Sequence, residues 1–146
     1  MSKIPSRKRF LVAISLGFVF GILCAWLASA DDPTIFSLKS FTFWTIVWNR
    51  FLIGLIIAFA GMFVRHPIFG FRCFPFLRGA ILGAVVSLVN AFGILTMPTE
   101  NAATIFWLTI GVGAIYGLII DVVATKIGGE GKTLIEGKKR TNGLTN

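Results

Sequence analysis

Reactive side chains are scarce in this chain, and their spacing excludes most chemistry before any fold is considered. There is one histidine, His66. Neither a two-histidine zinc motif nor a multi-histidine metal centre can therefore form within one copy. A serine hydrolase presents its nucleophile on a tight Gly-x-Ser-x-Gly turn, and no serine here has that setting. Gly131-Lys132-Thr133 matches the end of a phosphate-binding loop, but Lys126 stands where that loop's first glycine belongs and no strand precedes it. Cys24 and Cys73 form no Cys-x-x-Cys pair and are expected toward opposite faces of a bilayer, so no disulfide is expected. The expectation is a protein without enzymatic activity, metal or cofactor.

What remains is Arg50, in Trp48-Asn49-Arg50, inside a long apolar run. An arginine deep in a spanning helix costs about 2.5 to 3.5 kcal/mol on insertion scales, which makes it a candidate site by default. Nine residues of helix put it roughly 13 Å below the start of that run, and Asn90 in the third run falls at a similar depth. Asn49, Arg50, Asn90 and Thr109, with Glu100 reaching inward from the outer side, form the candidate polar site. Such a group suits an anion or a lipid headgroup. Arg50 could equally be satisfied by helix carbonyls, by Glu100 or by snorkelling outward. Asp121 is expected to make an interfacial ion pair with Lys126, too near its helix end to partner Arg50.

The elements that carry these residues follow from composition. With 55% hydrophobic and 14% charged residues and a mean hydropathy of +0.84, the chain is too apolar for a soluble domain, in which about a quarter of residues are charged. Each membrane crossing needs about 20 apolar residues. The apolar runs predict an all-α integral membrane protein with helices over 10–30, 41–64, 79–97 and 102–125, in a compact bundle that can be read as two tandem helical hairpins. Asp31-Asp32-Pro33 and Pro98 interrupt the runs, since proline lacks the amide hydrogen a helix needs. Residues 126–146 lack apolar periodicity and read as a flexible basic tail.

Residues 1–30 also match the plan of a signal peptide, with a basic start and Ala28-Ser29-Ala30 before Asp31. The apolar run of about 21 residues exceeds the usual 7 to 15 of such a segment, and retention is expected.

The net charge of +8 is explained by a membrane surface rather than nucleic acid, because the basic residues gather at the ends of the runs. Four precede the first run, one lies in the first loop, three in the second, none in the third and five in the tail. This bias places both termini in the cytoplasm, in what is expected to be a bacterial inner membrane. Arg65, Arg72 and Arg78, interleaved with phenylalanines, and Lys138-Lys139-Arg140 are the expected contacts with anionic headgroups.

Small and polar residues share one face of each predicted helix. The stripes are Ala13, Gly17, Gly21, Cys24 and Ala28; Arg50, Gly54, Ala58 and Gly61; Gly79, Gly83, Ser87 and Asn90; Gly113, Gly117, Asp121 and Ala124. Spacings of three and four make these physical faces, and in lipid small faces let backbones approach closely enough to pack. Phe43-Trp44 followed by Gly54-Leu55-Ile56-Ile57 recurs as Phe106-Trp107 followed by Gly117-Leu118-Ile119-Ile120 at a single offset. Gly17 and Gly21 find Gly79 and Gly83 at an offset differing by one residue, a pattern that fits either a duplicated hairpin or chance similarity between apolar sequences.

The chain shares its four-helix size with small multidrug transporters and fluoride channels. Its first helix has no carboxylate for proton coupling, however, and its third lacks a hydroxyl-rich pattern. The expected function is a structural or accessory membrane subunit that associates with itself or with a larger complex. The alternative is a transporter or channel unit for a small solute, anion or lipid headgroup, using the outer-half polar site around Arg50.

Overall fold

The computed structural model describes residues 7–30, 32–62, 74–96 and 100–129. Four α-helices account for most of them, α1 (Arg7–Ala28), α2 (Phe41–Ala60), α3 (Pro75–Leu95) and α4 (Ala102–Gly128), with a short 3-10 turn at Pro33–Ile35. Each helix is long and apolar enough to cross a membrane, and no strand occurs among the described residues.

Local chemistry explains the helix ends. Asp32 caps the 3-10 turn by accepting from the Thr34 amide, and Ser40 Oγ accepts from the Phe43 amide to start α2. α3 begins at Pro75, four residues before the expected start, because proline fits the first helical position, where no amide hydrogen is needed. α4 runs past the expected 125 to Gly128 and stops at Gly129, whose φ of 77° and ψ of 178° belong to a region reserved for glycine. α1 starts at Arg7 and ends at Ala28, and α2 ends at Ala60, short of the expected 64.

The helices pack as two tight antiparallel pairs, α1 with α2 and α3 with α4. The pairs meet chiefly through α1 and α4, with lighter contacts from α2 to α3 and α4. The expected small faces are largely the buried ones: Ala13, Gly17 and Gly21 on α1, Arg50, Gly54 and Ala58 on α2, Gly79, Gly83 and Ser87 on α3, and Gly113, Gly117, Asp121 and Ala124 on α4. The aliphatic core joins Ala13, Ile53, Ile57, Ala58, Ile120 and Ala124. Bulky residues point outward, with Trp48 62% and Val89 75% exposed.

The glycines face one another at backbone distance. A side-chain carbon on Gly17 would come within 2.8 Å of the Arg50 carbonyl oxygen and 3.1 Å of Gly54 Cα. One on Gly83 would collide with the Gly113 carbonyl and lie 3.0 Å from Gly117 Cα. Gly21 is held against Val47, and Gly79 against the Gly117 carbonyl. In the proposed repeat Arg50 corresponds to Gly113 and Gly54 to Gly117, so both hairpins make the same two-point contact. The contact pairs Gly17 with Gly83, however, not with Gly79 as the sequence offset implies. Glycines four residues apart look alike in sequence when shifted by a turn, and only the facing helix selects the register.

Candidate functional site

Two buried polar clusters sit in the bundle, and the first closes one end of it. Arg9 lies in the first turn of α1, Arg78 in the first turn of α3, and Asp121 about two turns before the end of α4. Asp121 Oδ1 accepts from Arg9 Nη2 at 2.6 Å and from Arg78 Nη2 at 2.9 Å, while Oδ2 accepts from Arg78 Nε at 2.7 Å. Arg78 therefore grips the carboxylate with the lateral edge of its guanidinium, the bidentate geometry that makes arginine–carboxylate pairs strong.

Arg9 extends the knot to the other helices. Its Nη1 donates to Thr125 Oγ1 at 2.8 Å and to the Gly129 carbonyl at 3.1 Å, and its Nη2 to the Ile57 carbonyl of α2 at 3.1 Å. Thr125 Oγ1 in turn lies 3.3 Å from Asp121 Oδ1. One carboxylate and two arginines thus tie all four helices together. Glycines make the room, since a side-chain carbon at Gly61 would collide with the Arg9 guanidinium and one at Gly128 with the Arg9 backbone. Arg9 and Asp121 have no exposed side-chain surface.

Two sequence expectations are corrected here. Asp121 pairs with Arg9 and Arg78 and is not the interfacial partner of Lys126, because α4 continues beyond it and turns its carboxylate into the bundle. Arg78, expected among lipid headgroups, is buried against Asp121. The earlier start of α3 draws it from the expected loop into the first helical turn. Arg9 lies outside the expected site, although the four-residue spacing of Gly21, Gly17 and Ala13 continues one step back to it.

The second cluster surrounds Arg50, which is 4% exposed. Its Nη1 donates to Asn49 Oδ1 at 3.1 Å and to Ser87 Oγ at 2.7 Å, and its Nη2 approaches Cys24 Sγ at 3.8 Å. Asn49 is fixed in turn by donating Nδ2 to the Val86 carbonyl at 3.1 Å. The Arg50 Cζ lies 5.5 Å from the centroid of the Tyr116 ring, which stacks on Phe20. No carboxylate lies within ion-pairing distance of Arg50 among the described residues, and its Nε is buried without a hydrogen-bond partner.

The expected polar site is therefore only partly assembled. Asn49 and Arg50 meet, but the third-helix partner is Ser87 and not Asn90. Ser87 continues the four-residue stripe of Gly79 and Gly83, whereas Asn90 stands off that stripe and is only half-buried. The Thr109 hydroxyl donates to its own helix at the Ile105 carbonyl. Glu100 is exposed ahead of α4. Neither reaches Arg50. The headgroup contacts expected of Arg65, Arg72, Lys138, Lys139 and Arg140 lie outside the described residues.

Away from the bundle interior, Asp32 holds its carboxyl below the ordinary value of 3.8, because the Thr34 hydroxyl and amide both donate to it. No group of three or more potential metal ligands occurs among the described residues. No known family model matches the chain, and no curated protein or solved structure is significantly similar to it.

Proposed function

We propose that this chain is a structural or accessory membrane subunit, a multi-pass bundle whose interior serves its own cohesion and whose outer faces serve lipid and partner proteins. The observation that carries this reading is the way the bundle's polar and small residues are used. The knot at Asp121 joins all four helices, and the glycine faces of both hairpins are consumed in backbone contact within the chain. In a bilayer, where the hydrophobic effect does little to bring helices together, these are the interactions that hold a bundle closed. What is left for others is an outer surface of tryptophan, phenylalanine and aliphatic side chains.

On this reading all four helices cross a bacterial inner membrane with both termini in the cytoplasm, as the distribution of lysine and arginine directs. Partners are anionic lipid on the cytoplasmic side and further membrane subunits, either copies of this chain or other proteins. The test is twofold. Crosslinking in native membranes should trap a discrete assembly, and the purified protein in liposomes should pass no small anion or solute. Flux from the wild type that Arg50→Ala abolishes at unchanged folded yield would replace this reading with the second one, a solute or anion unit. The specific observation favouring that second reading is a buried Arg50 with no carboxylate beside it.

A further inference from the structure

The bundle buries three arginines, Arg9, Arg50 and Arg78. Arg9 and Arg50 each have an Nε without a hydrogen-bond partner, but Arg9 reaches the Asp121 carboxylate through Nη2, whereas Arg50 reaches no carboxylate among the described residues. Arg78 and Arg50 are both buried, and each guanidinium has a lateral edge formed by Nε and Nη2, the edge that grips oxyanions in pairs of parallel hydrogen bonds. In Arg78 that edge is filled by Asp121, with Nε to Oδ2 and Nη2 to Oδ1. In Arg50 the same edge has no partner at Nε and only the Cys24 sulfur, at 3.8 Å, near Nη2. The opposite nitrogen, Nη1, is fully engaged by Asn49 and Ser87. The head is therefore held in place by neutral groups while its anion-binding edge is left without an anion.

Electrostatics sharpens the contrast. A buried charge is tolerated when it is paired and costly when it is not. Hydroxyl, amide and thiol dipoles and the Tyr116 ring supply polar contacts but no counter-charge. We propose that the lateral edge of Arg50 binds a small, singly charged anion inside the bundle, on the side bounded by Cys24 and Tyr116. The occupant is a halide or a carboxylate of a few atoms. The enclosure calls for a small occupant, because Arg50 is 4% exposed and its Nε is buried. The proposal needs no transport, so an absence of flux in liposomes leaves it standing, and the assembly test above leaves it untouched.

The experiment uses the purified full-length protein at constant ionic strength, with sodium gluconate as the bulky reference and sodium chloride, sodium formate or sodium phosphate in its place. Binding to the folded state alone raises the unfolding midpoint with ligand concentration. The midpoint should rise saturably in chloride or in formate, and the two arms tell a halide from a carboxylate. Arg50→Gln should abolish the rise. If that variant does not fold, Ser87→Ala carries the test, because it frees the guanidinium from one of its anchors. It should raise the half-saturating concentration roughly fivefold to tenfold, the equivalent of one ordinary hydrogen bond. Broadening of the chloride-35 resonance by wild-type protein, reversed by formate, should follow the same order. A midpoint that is equal in all four salts, or that rises in phosphate alone, overturns the proposal.

Discussion

Replacing Asp121 by asparagine tests whether the knot between helices is as central as its geometry implies. The substitution keeps the volume and one acceptor but removes the single negative charge shared by Arg9 and Arg78, leaving two buried guanidinium groups facing each other. Removing one partner of a buried ion pair costs about 3 to 5 kcal/mol, and Asp121→Asn should fall in that range. Arg9→Met should cost less, about 2 to 4 kcal/mol, at roughly 0.5 to 1 kcal/mol per hydrogen bond lost. It forfeits the bonds to Asp121, Thr125, Gly129 and Ile57 but leaves Arg78 and Asp121 as a neutral bidentate pair. The double variant should lose less than the sum of the single changes, with a coupling of at least about 1 kcal/mol, as expected for residues in one network. Reversible unfolding by a denaturing detergent in mixed micelles, read from tryptophan fluorescence, measures all three. A cost below about 1 kcal/mol for Asp121→Asn, or strict additivity with Arg9→Met, would refute the idea that this cluster clasps the bundle.

Other outcomes follow from the packing and topology. Gly83→Leu should drive α3 from α4, because its side chain would enter the Gly113 carbonyl, and folded protein should be lost from size-exclusion profiles. Gly93→Ala and Gly111→Ala have open space at the substituted position and should change stability by less than about 1 kcal/mol in either direction. The carboxyl of Asp32 should titrate below 3.8 by NMR, and Thr34→Ala should move it part of the way back, since the backbone amide at 34 still donates. Since the folded value is the lower one, the stabilisation of this turn is present above about pH 3.8 and is lost as pH falls through the depressed value. A reporter joined after Asn146 should be active only in the cytoplasm, and the mass of the mature protein should include Arg9. External labelling of the tail, or a mature chain starting after Ala30, would contradict the topology or the knot respectively.

Composition and periodicity alone determined the class of this protein. Four apolar runs, proline and glycine at their ends, and small residues every three or four positions specify apolar helices with packing faces, because these signals act within a turn or two of one helix. Arg50 and Asn49 were legible as a candidate site for the same reason, as polar residues where the local environment had to be apolar. The partners of those residues were decided elsewhere. Whether Arg50 meets Ser87 or Asn90, and whether Gly17 aligns with Gly79 or Gly83, depends on how one helix slides against another, and a four-residue repeat looks the same after a slip of one turn. The union of Arg9, Arg78 and Asp121 joins residues more than a hundred positions apart in sequence, and two of the three looked like interfacial charges. Only the tertiary structure brought them together, because α1 and α3 begin before their expected first residues and α4 continues past its last, carrying all three charges into the interior.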